Sequence, residues 1–451
     1  MSPEKKNRPV THVVKRDGRI VPFDEEKIAD GIYRAAASIG GHQKELSEKL
    51  AREVRSIINH NFNAPDMPLV NEIQDNVEKV LIDNGHSKTA KAYIIYREYR
   101  RREKLKKGRL TEDIRIPYRT MYESLLWNLE HQCETIEKLN MIIRDGNIPG
   151  LVKSFEQNFN RHIQNIAKEI SQEKDDVKLI IVAGPSSSGK TTTTAKLAHH
   201  LNEAGLDTVA LNLDHYFFDL EYHPKDEYGD YDFETPEALD ITLINQHLAD
   251  LIDEKTIKMP YYDFTKGKRC KNVQEKAILS NQVIIIDTLH GLYEPMTQSV
   301  PNENKVKVYI ETISQLKDKD DRFIRWTDIR LLRRMVRDNA TRGYDMRQTI
   351  GHWHYVRRSE LKHIIPFQGD TDFVVNGAIP FELPYLKKFT FDSLPDYIKE
   401  WQDDPKRRDA FIRAERIHNL LSQVDDFYDE KIIPWDSLLR EFIGGSVLKL
   451  H

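Results

Sequence analysis

Gly184-Pro185-Ser186-Ser187-Ser188-Gly189-Lys190-Thr191 is the stretch that decides the fold. It follows the apolar run Lys178-Leu179-Ile180-Ile181-Val182-Ala183 and opens a helical stretch, Thr192 to Ala204, that Gly205 stops. A glycine-bounded loop ending in Lys-Thr, set between a buried strand and a helix, is a phosphate-binding loop. The glycines let backbone N–H groups curl around an anion, and the helix N-terminus adds positive potential. The Lys190 ammonium reaches the β- and γ-phosphate oxygens, and the Thr191 hydroxyl is offered to Mg²⁺. Gly184 through Thr192 are therefore the expected triphosphate contacts.

Outward from the loop, short β-branched runs at 178–183, 208–213, 282–287, 306–311 and 372–376 alternate with helical stretches. This alternation predicts an α/β fold, a mostly parallel sheet covered by helices on both faces. In such a sheet the strand C-termini border the ligand crevice. Asp214 follows the second run and Asp287 closes the third, so both acids are expected to face the triphosphate. Phosphoryl transfer needs one acid to orient or deprotonate the attacking hydroxyl and another for the metal shell. Further on, Arg330, Arg333, Arg334 and Arg337 recur at i, i+3, i+4 and i+7, on one helical face, followed by Arg342-Gly343. One reading is a solvated face paired with Asp328 and Asp338. The Arg-only composition favours the other, a mobile lid that grips phosphate bidentately.

Residues 9–107 follow a different pattern. Arg16-Asp17-Gly18 between His12–Lys15 and Arg19–Phe23 signals a hairpin. Asp24 is placed to N-cap a helix whose first turn holds Glu25 and Glu26. Helical periods follow over roughly 44–60, 68–83 and 87–106. Lys15, Arg16 and Lys27 cluster at the hairpin and helix start, and Lys91 is placed to complete a phosphate pocket beside Asp17. Residues 108–175 are helical in period without a chemical motif and read as a connector. Residues 396–451 read as a helical C-terminal extension.

Composition narrows the class. The 451 residues suit two or three domains, and 39% hydrophobic content excludes a mainly disordered chain. Lys and Arg total 68 against 72 Asp and Glu, a net charge of −4 that argues against a dedicated nucleic-acid binder. The basic run Arg97–Arg109 accordingly reads as a solvated helix face. Two cysteines, Cys133 and Cys270, exclude a disulfide framework or a Cys-rich zinc module. With no apolar run of about 20 residues and a polar Met1–Arg19, no membrane association is expected, and a soluble, cytoplasmic protein is.

Residues 176–395 resemble the uridine kinase/phosphoribulokinase family of P-loop kinases. The resemblance rests on the phosphate loop, on Leu213-Asp214 with Tyr216 and Phe217, and on Asp232-Phe233-Glu234-Thr235-Pro236-Glu237-Ala238-Leu239-Asp240. It extends to Pro260-Tyr261-Tyr262-Asp263-Phe264 and Arg333-Arg334…Arg337-Asp338…Arg342-Gly343. A long bacterial branch of nucleoside kinase-like chains similarly carries His290-Gly291-Leu292 and Leu439-Arg440-Glu441-Phe442-Ile443-Gly444-Gly445-Ser446. The resemblance implies a kinase using ATP and Mg²⁺, with Asp214 as base on the accepting hydroxyl and Asp287 with Thr191 at the metal. It places Tyr216, Phe217, Phe233, Glu234, Tyr262 and Arg334 around a small-molecule acceptor, a nucleoside foremost, and Arg337 and Arg342 on ATP. Where the family's uridine kinases have Asp, a base-reading His and a second lid Arg, this chain has Glu234, Gly267 and Tyr344. A sugar or sugar-phosphate kinase, with Lys266, Lys268 and Arg269 near the acceptor, is the alternative within enzymes. A non-catalytic ATP-sensing regulator is the alternative outside them. Residues 10–103 resemble an ATP-cone, through Val13-Val14-Lys15-Arg16-Asp17-Gly18-Arg19, Val21-Pro22-Phe23-Asp24 and Gly85-His86…Ala90-Lys91-Ala92-Tyr93. That resemblance implies regulation by ATP or dATP at Lys15, Arg16, Asp17, Lys27 and Lys91, in a homo-oligomer.

Overall fold

The computed structural model describes residues 9–15, 20–41, 43–62, 67–93, 117–172, 177–224, 234–263, 266–341 and 343–448. The chain divides into two compact units, residues 1–113 and 114–451. In the first, β1 (His12–Val14) and β2 (Ile20–Pro22) pair antiparallel, with Val13 opposite Val21. The Asp24 side chain accepts from the Lys27 amide at 3.3 Å and starts the helix Glu25–Ala37, as its position before two glutamates predicts. Helices Lys44–Asn61 and Val70–Asp83 add their apolar stripes, so that Ile32, Leu50, Val54, Ile58, Val77 and Leu81 close one small core. The fourth expected helix is described only to Tyr93.

The second unit is built on a five-stranded sheet of β3 (Leu179–Ala183), β4 (Thr208–Asn212), β7 (Val283–Thr288), β8 (Lys305–Glu311) and β9 (Phe373–Asn376). Their order across the sheet is β4-β7-β3-β8-β9. Every pairing is parallel, and all five were expected from their apolar runs. Side chains alternate across the sheet. Ile180 and Val182 pack with Phe155, Phe159, Ile163 and Leu197 on one face. Leu179 and Ile181 pack with Ile244, Leu248 and Leu251 on the other. Burial on both faces is why these strands read as unbroken apolar runs. A hairpin of β5 (Ile257–Asp263) and β6 (Lys268–Lys276) stands apart from the sheet. Sequence reading missed it because Pro260, which has no N–H to donate, breaks the alternation; the register shifts there, between Met259 and Tyr261.

Two regions differ from expectation. The stretch read as a connector contributes the helix Ile148–Gln172, whose Phe155, Phe159, Ile163, Ile166 and Ile170 cover the sheet directly. A 25-residue amphipathic helix has to bury its stripe, and the sheet face is the surface that receives it. The stretch read as an extension is likewise core. Phe411, Ala414, Ile417 and Leu421 pack with Leu331, Leu332 and Met335 of the helix Trp326–Thr341. Leu438, Leu439 and Phe442 join the core under the sheet.

Candidate active site

The loop 184–191 leaves β3 at the centre of the sheet and runs into the helix Lys190–Glu203. Its glycines are sterically required. A Cβ on Gly184 would lie 2.2 Å from the Ile310 carbonyl oxygen, and Gly189 caps the helix at φ +98°. The outer side of the loop is gripped by arginines. Arg330 donates to the Ser186 carbonyl at 3.1 Å, and Arg333 donates to the Ser187 and Ser188 carbonyls at 3.4 Å each. These contacts hold the loop's carbonyls from behind, while the Ser188 amide closes a turn on the Pro185 carbonyl at 3.3 Å. The Ser187 and Ser188 hydroxyls are 2% and 0% exposed and have no hydrogen-bond partner among the described residues. A phosphate oxygen fits that deficit. The Lys190 ammonium rests on the Pro185 carbonyl at 3.1 Å. Burial pushes its pKa below the ordinary lysine value, against the pull of Asp287, Glu441 and Asp214.

Strand register assembles the carboxylates. Asn212 on β4 and Val182 on β3 both pair with Asp287 on β7, so Asp287 stands between the two neighbouring strand ends. Asp214 follows in the turn Leu213–Tyr216, where the Asn212 side chain accepts from the Asp214 amide at 2.9 Å. The Thr191 hydroxyl donates to Asp287 at 2.8 Å. A hydroxyl and a carboxylate side by side next to a phosphate loop are an oxygen donor set that suits Mg²⁺.

The arginine helix corrects the lid reading in part. Arg330 is 1% exposed, sits 3.0 Å from Glu311 and is doubly bonded by Glu360. Arg333 is 0% exposed, with Glu382 on its Nη2 at 2.9 Å and Phe442 under its plane at 4.8 Å. These two are neutralised in the core and buttress the loop from behind. The spacing was right about a shared face but silent about which surface it meets. Arg334 and Arg337 lie at the partly exposed rim. Arg334 bridges Glu234 at 2.7 Å, the Ser186 hydroxyl at 3.0 Å and Asp338 at 3.1 Å; Arg337 pairs with Asp338 at 2.9 Å. Arg342 lies outside the described residues, as does Phe233.

Glu234 and Arg334, both expected around the acceptor, are thus brought together at the loop. The Glu234 carbonyl also accepts from the Ser359 hydroxyl and interacts with His290. His290, 3% exposed and singled out in the sequence only as a branch marker, is pushed down to about 3 by burial, with His363 and Lys190 adding to the shift. Phe217 packs on Tyr262 with ring centres 5.5 Å apart, and Tyr344 lies within electrostatic reach of Tyr262. Tyr216 departs from expectation. It is 0% exposed and its hydroxyl is bonded to His247 at 2.8 Å, which makes it a core residue rather than an acceptor contact. Gly267 sits at φ +62°, and a Cβ there would meet Leu220 at 3.0 Å. In the first unit, Lys27 is 2.7 Å from Asp24 and 75% exposed, Lys15 is half-buried and Lys91 exposed, while Arg16 and Asp17 lie outside the described residues.

The sequence profile of the phosphoribulokinase/uridine kinase family matches residues 179–380, and that of the ATP-cone domain matches residues 11–102. A uridine kinase of Ligilactobacillus salivarius (strain UCC118) is 31% identical over 172 residues, 71% of its own length and 38% of this chain. The chain belongs to the phosphoribulokinase/uridine kinase family. Uridine kinases of Borrelia turicatae (strain 91E135), 30% identical over 203 residues, and of Deinococcus deserti, 28% over 198, each match over 86% of their length and 44% of this chain. As a member of the family this chain is a P-loop phosphotransferase with an ATP-cone domain at its N-terminal end. The family match stops before Glu382, Leu438 and Phe442, all of which pack behind the phosphate loop.

Proposed function

We propose that the chain is an ATP- and Mg²⁺-dependent kinase that phosphorylates a hydroxyl of a small metabolite, a nucleoside foremost. The observation that carries this reading is the 2.8 Å contact between Thr191 and Asp287 beside Lys190, with Asp214 at the end of the strand that pairs with Asp287. Bound Mg²⁺, held by Thr191 and Asp287, would neutralise charge on the β- and γ-phosphate oxygens. Asp214 takes the proton of the acceptor hydroxyl as its oxygen bonds to the γ-phosphorus. The bond to the β,γ-bridging oxygen breaks, Lys190 offsets the charge that develops there, and ADP leaves. Loop amides 186–192 and Arg337 hold the triphosphate, while Glu234, Arg334, Phe217 and Tyr262 border the acceptor.

Of the basic residues that a phosphorylated acceptor would need, Arg269 is committed to a largely buried ion pair, while Lys266 and Lys268 are exposed in surface pairs. Lys266 is 3.0 Å from Asp263, Lys268 3.8 Å from Glu221 and Arg269 2.9 Å from Asp240. The commitment of Arg269 weighs toward a nucleoside over a sugar phosphate, and the complete transfer set favours turnover over sensing alone. The test is an ATP-consumption screen of the purified protein against nucleosides, deoxynucleosides and sugar phosphates. Turnover with none of them, or with sugar phosphates alone, would reject the nucleoside reading. The ATP-cone domain is proposed to bind ATP or dATP and to regulate the kinase through oligomeric state, with dATP inhibitory. Light scattering and rate with and without dATP, on wild type and Lys15→Ala/Arg16→Ala, test this; identical mass and rate throughout would reject it.

A further inference from the structure

The C-terminal segment places a carboxylate on the phosphate-binding end of the helix Lys190–Glu203. The Thr193 amide bonds back to the Gly189 carbonyl at 3.1 Å, so Thr192 carries the last amide of the helix without an intrahelical acceptor. That amide donates to Glu441 Oε2 at 2.9 Å, and the Thr192 hydroxyl donates to the same oxygen at 2.8 Å. The side chain of Thr192 is fully buried, and Glu441 also acts electrostatically on Lys190. An anionic oxygen therefore occupies a donor pair in the loop whose Ser187 and Ser188 hydroxyls have no partner among the described residues.

The segment itself is firmly anchored. Leu438 packs against Gly189, and Leu438, Leu439 and Phe442 are 0%, 0% and 1% exposed. Lys196 on the same helix pairs with Asp436 at 2.5 Å, and Ser437 bonds Glu156. The Glu441 side chain, by contrast, is half-buried, and its rotation leaves Leu438, Leu439 and Phe442 in place. Two anions cannot share one N–H and one hydroxyl, and their mutual repulsion beside Lys190 opposes simultaneous occupancy.

We propose that Glu441 is an intramolecular competitor of the nucleotide, holding the Thr192 amide and hydroxyl until a phosphate oxygen displaces it. The C-terminal segment thereby sets nucleotide affinity. The proposal rests on the reading of loop 184–192 as the ATP site, and the experiment separates the two. Calorimetric titration with Mg-ADP and with adenosine is run on the full-length wild type, Glu441→Gln, Glu441→Ala and Lys190→Ala. Melting curves establish that each variant is folded. Glu441→Gln is nearly isosteric and keeps the packing should Glu441→Ala disturb it. Removing the competing charge is expected to tighten ADP binding about tenfold, a change of about 1.4 kcal/mol, while adenosine, which has no phosphate, binds as in wild type. A cap that merely stabilises the helix would move the melting temperature and leave ADP unchanged or weaker; that result in both variants overturns the proposal. ADP binding by wild type that Lys190→Ala abolishes upholds the ATP site even then. Absence of ADP binding in wild type and variants alike overturns both.

Discussion

The two sides of the site are built by different means. The phosphate side comes from adjacent parallel strands, where register alone brings Asp287 between β3 and the β4 end that leads to Asp214. Its supporting charges, Arg330 and Arg333, are buried and matched by Glu311, Glu360 and Glu382. The side proposed for the acceptor gathers Glu234, His290, Arg334 and Ser359 from four separate stretches, tied by side-chain contacts. Backbone register resists substitution, whereas loop-borne side chains can be exchanged one at a time. Glu234, Gly267 and Tyr344, the positions that set this chain apart from the uridine kinase pattern it resembles, all lie outside the sheet.

The largest effect should come from Asp214→Asn, with kcat lowered by about 10²–10⁴ and ATP affinity and melting temperature retained. Turnover at the wild-type rate would remove Asp214 from the mechanism. Next, Arg333→Met leaves Glu382 buried and unpaired and should cost about 3–5 kcal/mol in denaturant unfolding, whereas Arg333→Met/Glu382→Leu should recover most of it. Arg337→Ala at the rim is expected to cost under about 1 kcal/mol. Equal costs for Arg333→Met and Arg337→Ala would erase the distinction between buttress and rim.

Acid should act through the buried histidines. His290 is held neutral by burial with a folded pKa pushed down to about 3, against 6.5 as its ordinary value. The unfolded chain therefore binds more protons below pH 6.5. The stability that a neutral His290 contributes is complete above that pH and is lost as pH falls toward 3. The loss approaches about 1.4 kcal/mol per pH unit, and His363, pushed to about 4, adds to it. Melting temperatures from pH 8 to pH 5 check this, and His290→Asn should flatten the profile; an unchanged slope would contradict it. Acceptor choice should move far less than turnover does in Asp214→Asn. Tyr344→Arg should shift relative kcat/KM among nucleosides by about tenfold or less, with ATP parameters little moved. Gly267→His is the poorer probe, because positive φ and Leu220 would strain the hairpin before any base was read.

The strands, the phosphate loop, the Asp24 cap and the strand-end acids were legible because each depends on local pattern: period two, glycine placement, a capping side chain. Arginine spacing likewise revealed a shared face. Which surface that face meets was not legible, since Arg330 and Arg333 are explained by Glu360 and Glu382, 30 and 49 residues away. Tyr216 was misread for the same reason, as its partner His247 is 31 residues distant. Residues 108–175 read as a connector without a motif and residues 396–451, apart from the branch marker Leu439–Ser446, as an extension, yet Phe155, Phe442 and Glu441 complete the sheet's core and the back of the loop. By itself the sequence determined the family and the phosphate loop between its strand and helix, because backbone geometry and a few residue types suffice to specify them. Tertiary structure alone decided which charges are buried supports and which face solvent, because burial and ion pairing are settled by contacts between residues far apart in the chain.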